Sequence, residues 1–128
     1  MHYNIAMKNP DENVIVVKSK NFALRIIKLY QYLTDTKKEF ILSKQVLRSG
    51  TSIGANVKEA IRGQSKADFY AKLNISLKEA GETEYWLELL NESGYLDGHE
   101  EDFKSLYTDC QELIKILVSI LKTRRKNS

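Results

Sequence analysis

The sequence predicts an all-α fold, an up-down-up-down antiparallel four-helix bundle formed as one domain over residues 1–128. Three observations lead there. Apolar residues recur at steps of three and four, and no stretch alternates as a strand would. The chain holds only one proline and six glycines while 29% of its residues are charged, so it lacks the frequent turn residues of a sandwich or barrel. Punctuation in the form of caps and glycine-containing breaks divides it into four long segments joined by short connections, which place consecutive helices antiparallel.

Helix 1 is expected over about residues 10–34. Asn9 serves as its N-cap, Pro10 stands at the first helical position, and Asp11 and Glu12 lie in the first turn. Ile15, Phe22, Ala23, Ile26, Ile27, Leu29, Tyr30 and Leu33 spread over roughly 160° of its wheel, wider than the ~100° stripe one core requires. Val17 and Leu24 widen the apolar face further, which predicts a second buried contact, most simply another copy of the chain.

"TKKE" at Thr36–Glu39 reads as a capping box opening helix 2, which is expected over about 37–62. Its seam is read as Phe40, Ser43, Leu47, Gly50, Gly54, Val57 and Ile61. A glycine costs a helix interior roughly 1 kcal/mol relative to alanine. Two of them on the seam are expected to let a neighbour approach closely, leaving room for a large side chain such as Trp86 or Tyr85.

"SKAD" at Ser65–Asp68 opens helix 3, over about 66–91, with the seam Phe69, Leu73, Ser76, Ala80, Thr83, Leu87 and Leu90. The glycine-containing loop "ESGYLDGHE" leads to helix 4, over about 98–123, with the seam Phe103, Leu106, Cys110, Leu113, Leu117 and Ile120. Residues 124–128 are expected to form a frayed basic tail.

Composition and motifs narrow the function classes. Cys110 is the only cysteine, sits in a seam, and reads as a small buried hydrophobe. The N-terminus lacks a basic segment followed by a long apolar one, and no apolar run approaches the ~20 residues that span a bilayer. A cytoplasmic protein with no membrane partner is therefore expected. An enzyme is not expected. His2 and His99 are the only histidines and neither follows a glutamate by three positions, so the di-iron bundle motif is missing. Neither zinc spacing nor a phosphate-binding glycine loop is present, and no cofactor or metal is expected.

Charge is unevenly placed. Residues 36–66 carry seven Lys/Arg against two acidic residues, while residues 67–102 carry two against ten. On helix 2, Lys44, Arg48, Lys58 and Arg62 share one narrow face with the small Thr51 and Ala55 between them, a surface suited to a phosphate backbone. Lys18, Arg25 and Lys28 form a lesser basic face on helix 1, and Arg124, Arg125 and Lys126 add to the tail. Non-catalytic binding of RNA or DNA through these cations is the leading reading. Two alternatives accompany it. Glu79, Glu82, Glu84, Glu88 and Glu92 of helix 3 could neutralise the basic face, or the chain could be a homo-oligomeric scaffold for a protein partner. Ser52, Asn56, Glu59, Glu82 and Glu84 are read as a structural polar network that fixes helix register.

The stretches "LRSGTSIGANVKEA" and "SKADFYAKLNISLKEAGETEYWLELL" resemble the bacterial four-helix bundle family often called 23S rRNA intervening-sequence proteins. The resemblance rests on Arg48, Ser52, Ile53, Asn56, Val57, Glu59, Ser65, Asp68 and Phe69, continues with Glu82 and Glu84, and covers roughly residues 20–95. Gly54 stands where proline is common in the family, and Ala60 replaces its usual glycine. The resemblance implies an antiparallel bundle assembled as a ring-like homopentamer. It also implies kinship with the accessory proteins of diversity-generating retroelements, which bind nucleic acid and a reverse transcriptase. Most of the family has no settled biochemical role.

Overall fold

The computed structural model describes the backbone of residues 10–126 and the side chains of residues 14–123. The four helices are α1 (Pro10–Asp35), α2 (Leu42–Ile61), α3 (Lys66–Glu92) and α4 (Glu100–Lys126). Each packs on its neighbours in the chain, and α1 closes the bundle against α4.

Helix ends follow local chemistry, and two differ from expectation. Helix α2 starts at Leu42, five residues later than the Thr36 capping box implies. Lys38 adopts φ 55°, which breaks the helical path, and the Glu39 amide bonds back to the Leu33 carbonyl at 2.9 Å. Glu39 does the capping instead. Its carboxylate accepts the amides of Ile41 (3.2 Å), Leu42 (2.9 Å) and Ser43 (2.7 Å), three of the orphan donors at a helix start. Helix α4 runs to Lys126, so the basic tail continues the helix at Arg124–Lys126. The expected N-cap Asn9, the side chains of Asp11 and Glu12, and residues 127–128 lie outside the described residues.

Elsewhere the expected devices are in place. The Ser65 hydroxyl accepts the Asp68 amide at 3.1 Å at the start of α3. At its end the Tyr95 amide bonds the Leu90 carbonyl and that of Gly94 bonds Asn91, with Gly94 at φ 92°. This is the glycine-terminated arrangement that satisfies the last carbonyls of a helix.

All seven expected seam residues of α3 are buried, as are five of six on α4, Phe103 being half-buried. The α2 seam is rotated from expectation. Phe40 is 54% exposed in the connection, while Val46, Ser49, Ile53 and Ala60 are fully buried. Between α1 and α3, this helix buries a broad face centred on Ile53, with small residues on both flanks. Toward α3, the Ser49 and Thr83 hydroxyl oxygens lie 2.8 Å apart and the Ser76 hydroxyl donates to the Ile53 carbonyl at 2.8 Å. Toward α1, a Cβ on Gly50 would stand 2.8 Å from Ile26 Cγ1, and one on Gly54 would stand 3.3 Å from the Ser19 carbonyl oxygen. These are packing glycines, and the space they leave is filled by Ile26 and the α1 backbone rather than by Trp86 or Tyr85.

Cys110 is fully buried against the Ala80 carbonyl. Burial, then the carboxylates of Glu84 and Asp109, push its thiol up to about 12.

Candidate nucleic-acid interface

The basic face of α2 divides according to what lies beside it. Arg48 leans onto α3, where Nη1 donates to Glu79 at 2.6 Å and Nη2 to Glu82 at 2.7 Å. Glu79 is only 7% exposed, and Arg48 is its ion-pair partner. The Glu79 bond is also the main reason the guanidinium is held above its ordinary value. The basic α2 and the acidic α3 thus neutralise each other at Arg48. Among the described residues, Lys44, Lys58 and Arg62 have no ion-pair partner and are exposed.

Lys58 and Arg62 border a groove between α1 and α2, of about 490 Å³, in which Lys20 of α1 stands as the third cation. Its small residues are Ser19 and Ala23 on α1 and Thr51, Gly54 and Ala55 on α2. Val16, Val57 and Ile61 line it as well, so an anion entering the groove meets ammonium and guanidinium groups beside a partly apolar surface. Lys20 was not singled out from sequence. Its proximity to Lys58 follows from the antiparallel register of α1 and α2, which the Gly50 and Gly54 contacts set.

Helix α1 shows the same division. Lys18 pairs with Glu112 at 2.9 Å, and Arg25 pairs with Asp109 at 2.7 Å while donating to the Ser105 hydroxyl at 3.0 Å. A seven-residue step on α1 faces a three-residue step on α4, a complementarity visible only once the helices are known to be neighbours. Lys28 is exposed and without an ion-pair partner among the described residues.

The polar residues expected to form one network are dispersed. Asn56 donates to the Ser52 carbonyl on its own helix at 2.8 Å, and Glu59 is exposed. Glu82 belongs to the Arg48 pair, and Glu84 accepts from Gln111 of α4 at 3.4 Å. The buried register-setting contacts are instead those of Ser49, Thr83 and Ser76. Beyond Glu84, the Tyr107 hydroxyl donates to Glu88, and that bond, reinforced by burial, raises the phenol above its ordinary value. Glu84 and Glu88 thus place two carboxylates along the α3–α4 seam.

An apolar stripe remains uncovered on α1, where Val17 is 59%, Leu24 53% and Ile27 38% exposed. No helix among the described residues is long and apolar enough to cross a membrane, and no group of three or more His, Cys, Asp and Glu among them could hold a metal ion.

No curated protein matches the chain. Among solved structures, it is similar to a crystal structure from Bacteroides thetaiotaomicron VPI-5482, described as a protein with unknown function from the S23 ribosomal protein family. The two are 54% identical, with a TM-score of 0.84, over 88% of this chain and 98% of that one. The sequence pattern of the family described as 23S rRNA-intervening sequence protein matches residues 11–119, which reach from the first turn of α1 well into α4. With arrangement and sequence in agreement over that span, the chain belongs to the 23S rRNA-intervening sequence protein family.

Proposed function

We propose that this chain is a non-catalytic, self-assembling bundle that binds the phosphate backbone of RNA or DNA along its α1–α2 face. The observation that carries the reading is the convergence of Lys20, Lys58 and Arg62, free of acidic partners among the described residues, on one groove between α1 and α2. Lys44 extends the cationic line toward the other end of α2. At 1.5 Å per residue it stands about 27 Å from Arg62 along the axis, roughly four-fifths of a ~34 Å duplex turn. Arg48 and Arg25, engaged by carboxylates, contribute little to this α1–α2 face.

Three or four neutralised phosphates per protomer give a log–log salt slope of about −3, with ~0.9 contributed per phosphate on B-DNA. Affinity then falls roughly sixtyfold between 50 and 200 mM salt. Assembly multiplies such weak contacts into avidity. The test is a salt series on the intact assembly with structured RNA and duplex DNA, run beside a Lys58→Gln/Arg62→Gln variant. Loss of about 1.8 from the slope magnitude is expected in the variant. An unchanged slope would sink the groove as the working surface.

A second reading, a homo-oligomeric scaffold for a protein partner, draws on the exposed Val17, Leu24 and Ile27. In this reading the stripe is the contact between copies, in the five-membered ring that the family resemblance implies. Light scattering of a Val17→Lys/Leu24→Lys variant tests it, with a fall in assembly mass expected and an unchanged mass excluding the stripe as the contact.

A further inference from the structure

On its other flank, α1 parts from α4 around a second cavity. It measures about 330 Å³, and its α1 wall is Arg25, Lys28, Leu29 and Tyr32. The turn before α4, with Gly98 at φ 86°, brings Leu96 and His99 under the helix start, and Phe103 and Leu106 complete the opposite wall. Tyr32 meets His99 edge-on at 4.9 Å between centroids, and Phe103 packs against Tyr107 at 5.3 Å.

The chemistry of the lining is mixed in a particular way. Leu29, Leu96 and Leu106 give an apolar floor, and the aromatic side chains give surfaces on which a flat ring stacks or packs edge-on. At the rim, Lys28 has no ion-pair partner among the described residues, and Arg25 keeps guanidinium N–H groups beyond those used by Asp109 and Ser105. Asp102, within 3.6 Å of His99, offers a carboxylate acceptor at the same rim. A purely apolar occupant would leave both charge signs unused. A planar ring bearing amino or imino donors, attached to an anionic group, uses all three features.

We propose that the α1–α4 cleft is a nucleotide subsite, in which one unstacked base lies against the aromatic wall and its phosphate meets Lys28. The cavity lies at the lower end of small-ligand sites, about 300–1,000 Å³, which admits a single nucleotide and excludes a base pair. Stacking on aromatic side chains next to cations is a sequence-tolerant means of holding single strands. The inference deepens the nucleic-acid reading by assigning single-stranded segments to this cleft, while the α1–α2 groove recognises only phosphate. The same chemistry accepts a free nucleoside monophosphate.

The full-length assembly would be titrated with AMP, adenosine and inorganic phosphate, and separately with single-stranded and duplex RNA of equal length. Hydrogen exchange would map protection, and Lys28→Gln and Phe103→Ala would be compared with the parent. Expected are saturable AMP binding, protection of residues 25–32 and 96–106, and at least tenfold weakening for adenosine and for Lys28→Gln. Single strands should show the same dependence on Lys28, and duplexes should not. Should Phe103→Ala fail to fold, the exposed Lys28→Gln and the protection map still decide the matter. Absence of saturable AMP binding, or protection confined to residues 16–23 and 54–62, would overturn the subsite. So would concentration-dependent protection of the cleft without nucleotide, the mark of a second copy seated there. The Lys58→Gln/Arg62→Gln variant separates the two readings. AMP binding retained while duplex binding is lost supports the subsite. Loss of duplex binding to the parent protein refutes the groove alone.

Discussion

Replacing Gly50 by alanine sets two known effects against each other. The methyl group would lie 2.8 Å from Ile26 Cγ1 and 2.9 Å from Cγ2, against an optimum of about 3.5–4.0 Å between carbons. Ile26 is fully buried and β-branched, with its χ1 fixed by the helix, so it cannot swing aside. Helix α1 has to shift, and overpacking of this kind costs about 1–3 kcal/mol, here toward the upper end because both γ-carbons clash. Greater helix propensity returns roughly 1 kcal/mol. The net expectation is a loss of about 1–2 kcal/mol. Gly81 supplies the control, since it is exposed and nothing lies within 4 Å of an added Cβ. Gly81→Ala should gain roughly 1 kcal/mol. Urea unfolding at one fixed protomer concentration, monitored by circular dichroism, measures the difference, because assembly makes apparent stability concentration-dependent. Equal effects of the two substitutions would refute the close α1–α2 contact.

Arg48→Met should destabilise the bundle by about 1–3 kcal/mol, since it strands the buried Glu79, and a second substitution, Glu79→Gln, should recover most of that loss. The same Arg48→Met protein should keep the salt slope of nucleic-acid binding, which separates this cation from Lys58 and Arg62 in one experiment. Burial acts to raise the Glu39 carboxyl, but the amides of Leu42, Ser43 and Ile41 overcome it and hold the group below its ordinary 4.5. A depressed folded-state value means that the cap's contribution is present above the unfolded value and lost as pH falls through the folded one. Glu39→Gln should therefore lower stability at neutral pH by about 0.5–2 kcal/mol and flatten the loss below pH ~4, as read from denaturation midpoints across pH. Lys38→Gly should raise stability by about 0.5–1 kcal/mol, because a left-handed conformation costs an L-residue more than glycine's added freedom costs the folded chain. A lower midpoint for that variant would argue against the φ of 55°.

Helices α3 and α4 were legible because large apolar residues anchor both ends of each seam, Phe69, Leu73, Leu87 and Leu90 on α3 and Phe103, Leu106, Leu117 and Ile120 on α4, and fix its phase. The rotation of α2 was not, because glycine and serine carry no hydrophobic signal, and Val46 and Leu47 look alike until the flanking helices are placed. Likewise, Thr36 and Glu39 form a plausible capping pair in sequence, but Lys38 turns the chain so that Glu39 alone reaches the amides. The candidate interface was half legible. Clustering of Lys44, Arg48, Lys58 and Arg62 on one face follows from helical spacing. The removal of Arg48 by Glu79 and Glu82, and the arrival of Lys20, depend on which helices stand beside α2 and in what register.

The burial of Cys110 has a consequence for the history of each molecule. A thiol enclosed by the bundle and held protonated at ordinary pH cannot form a covalent link between intact copies. Only a chain that has opened along the seam exposes sulfur to another. Disulfide-joined pairs under oxidising conditions would thus be a permanent record of past unfolding, and their accumulation would count opening events that equilibrium measurements average away.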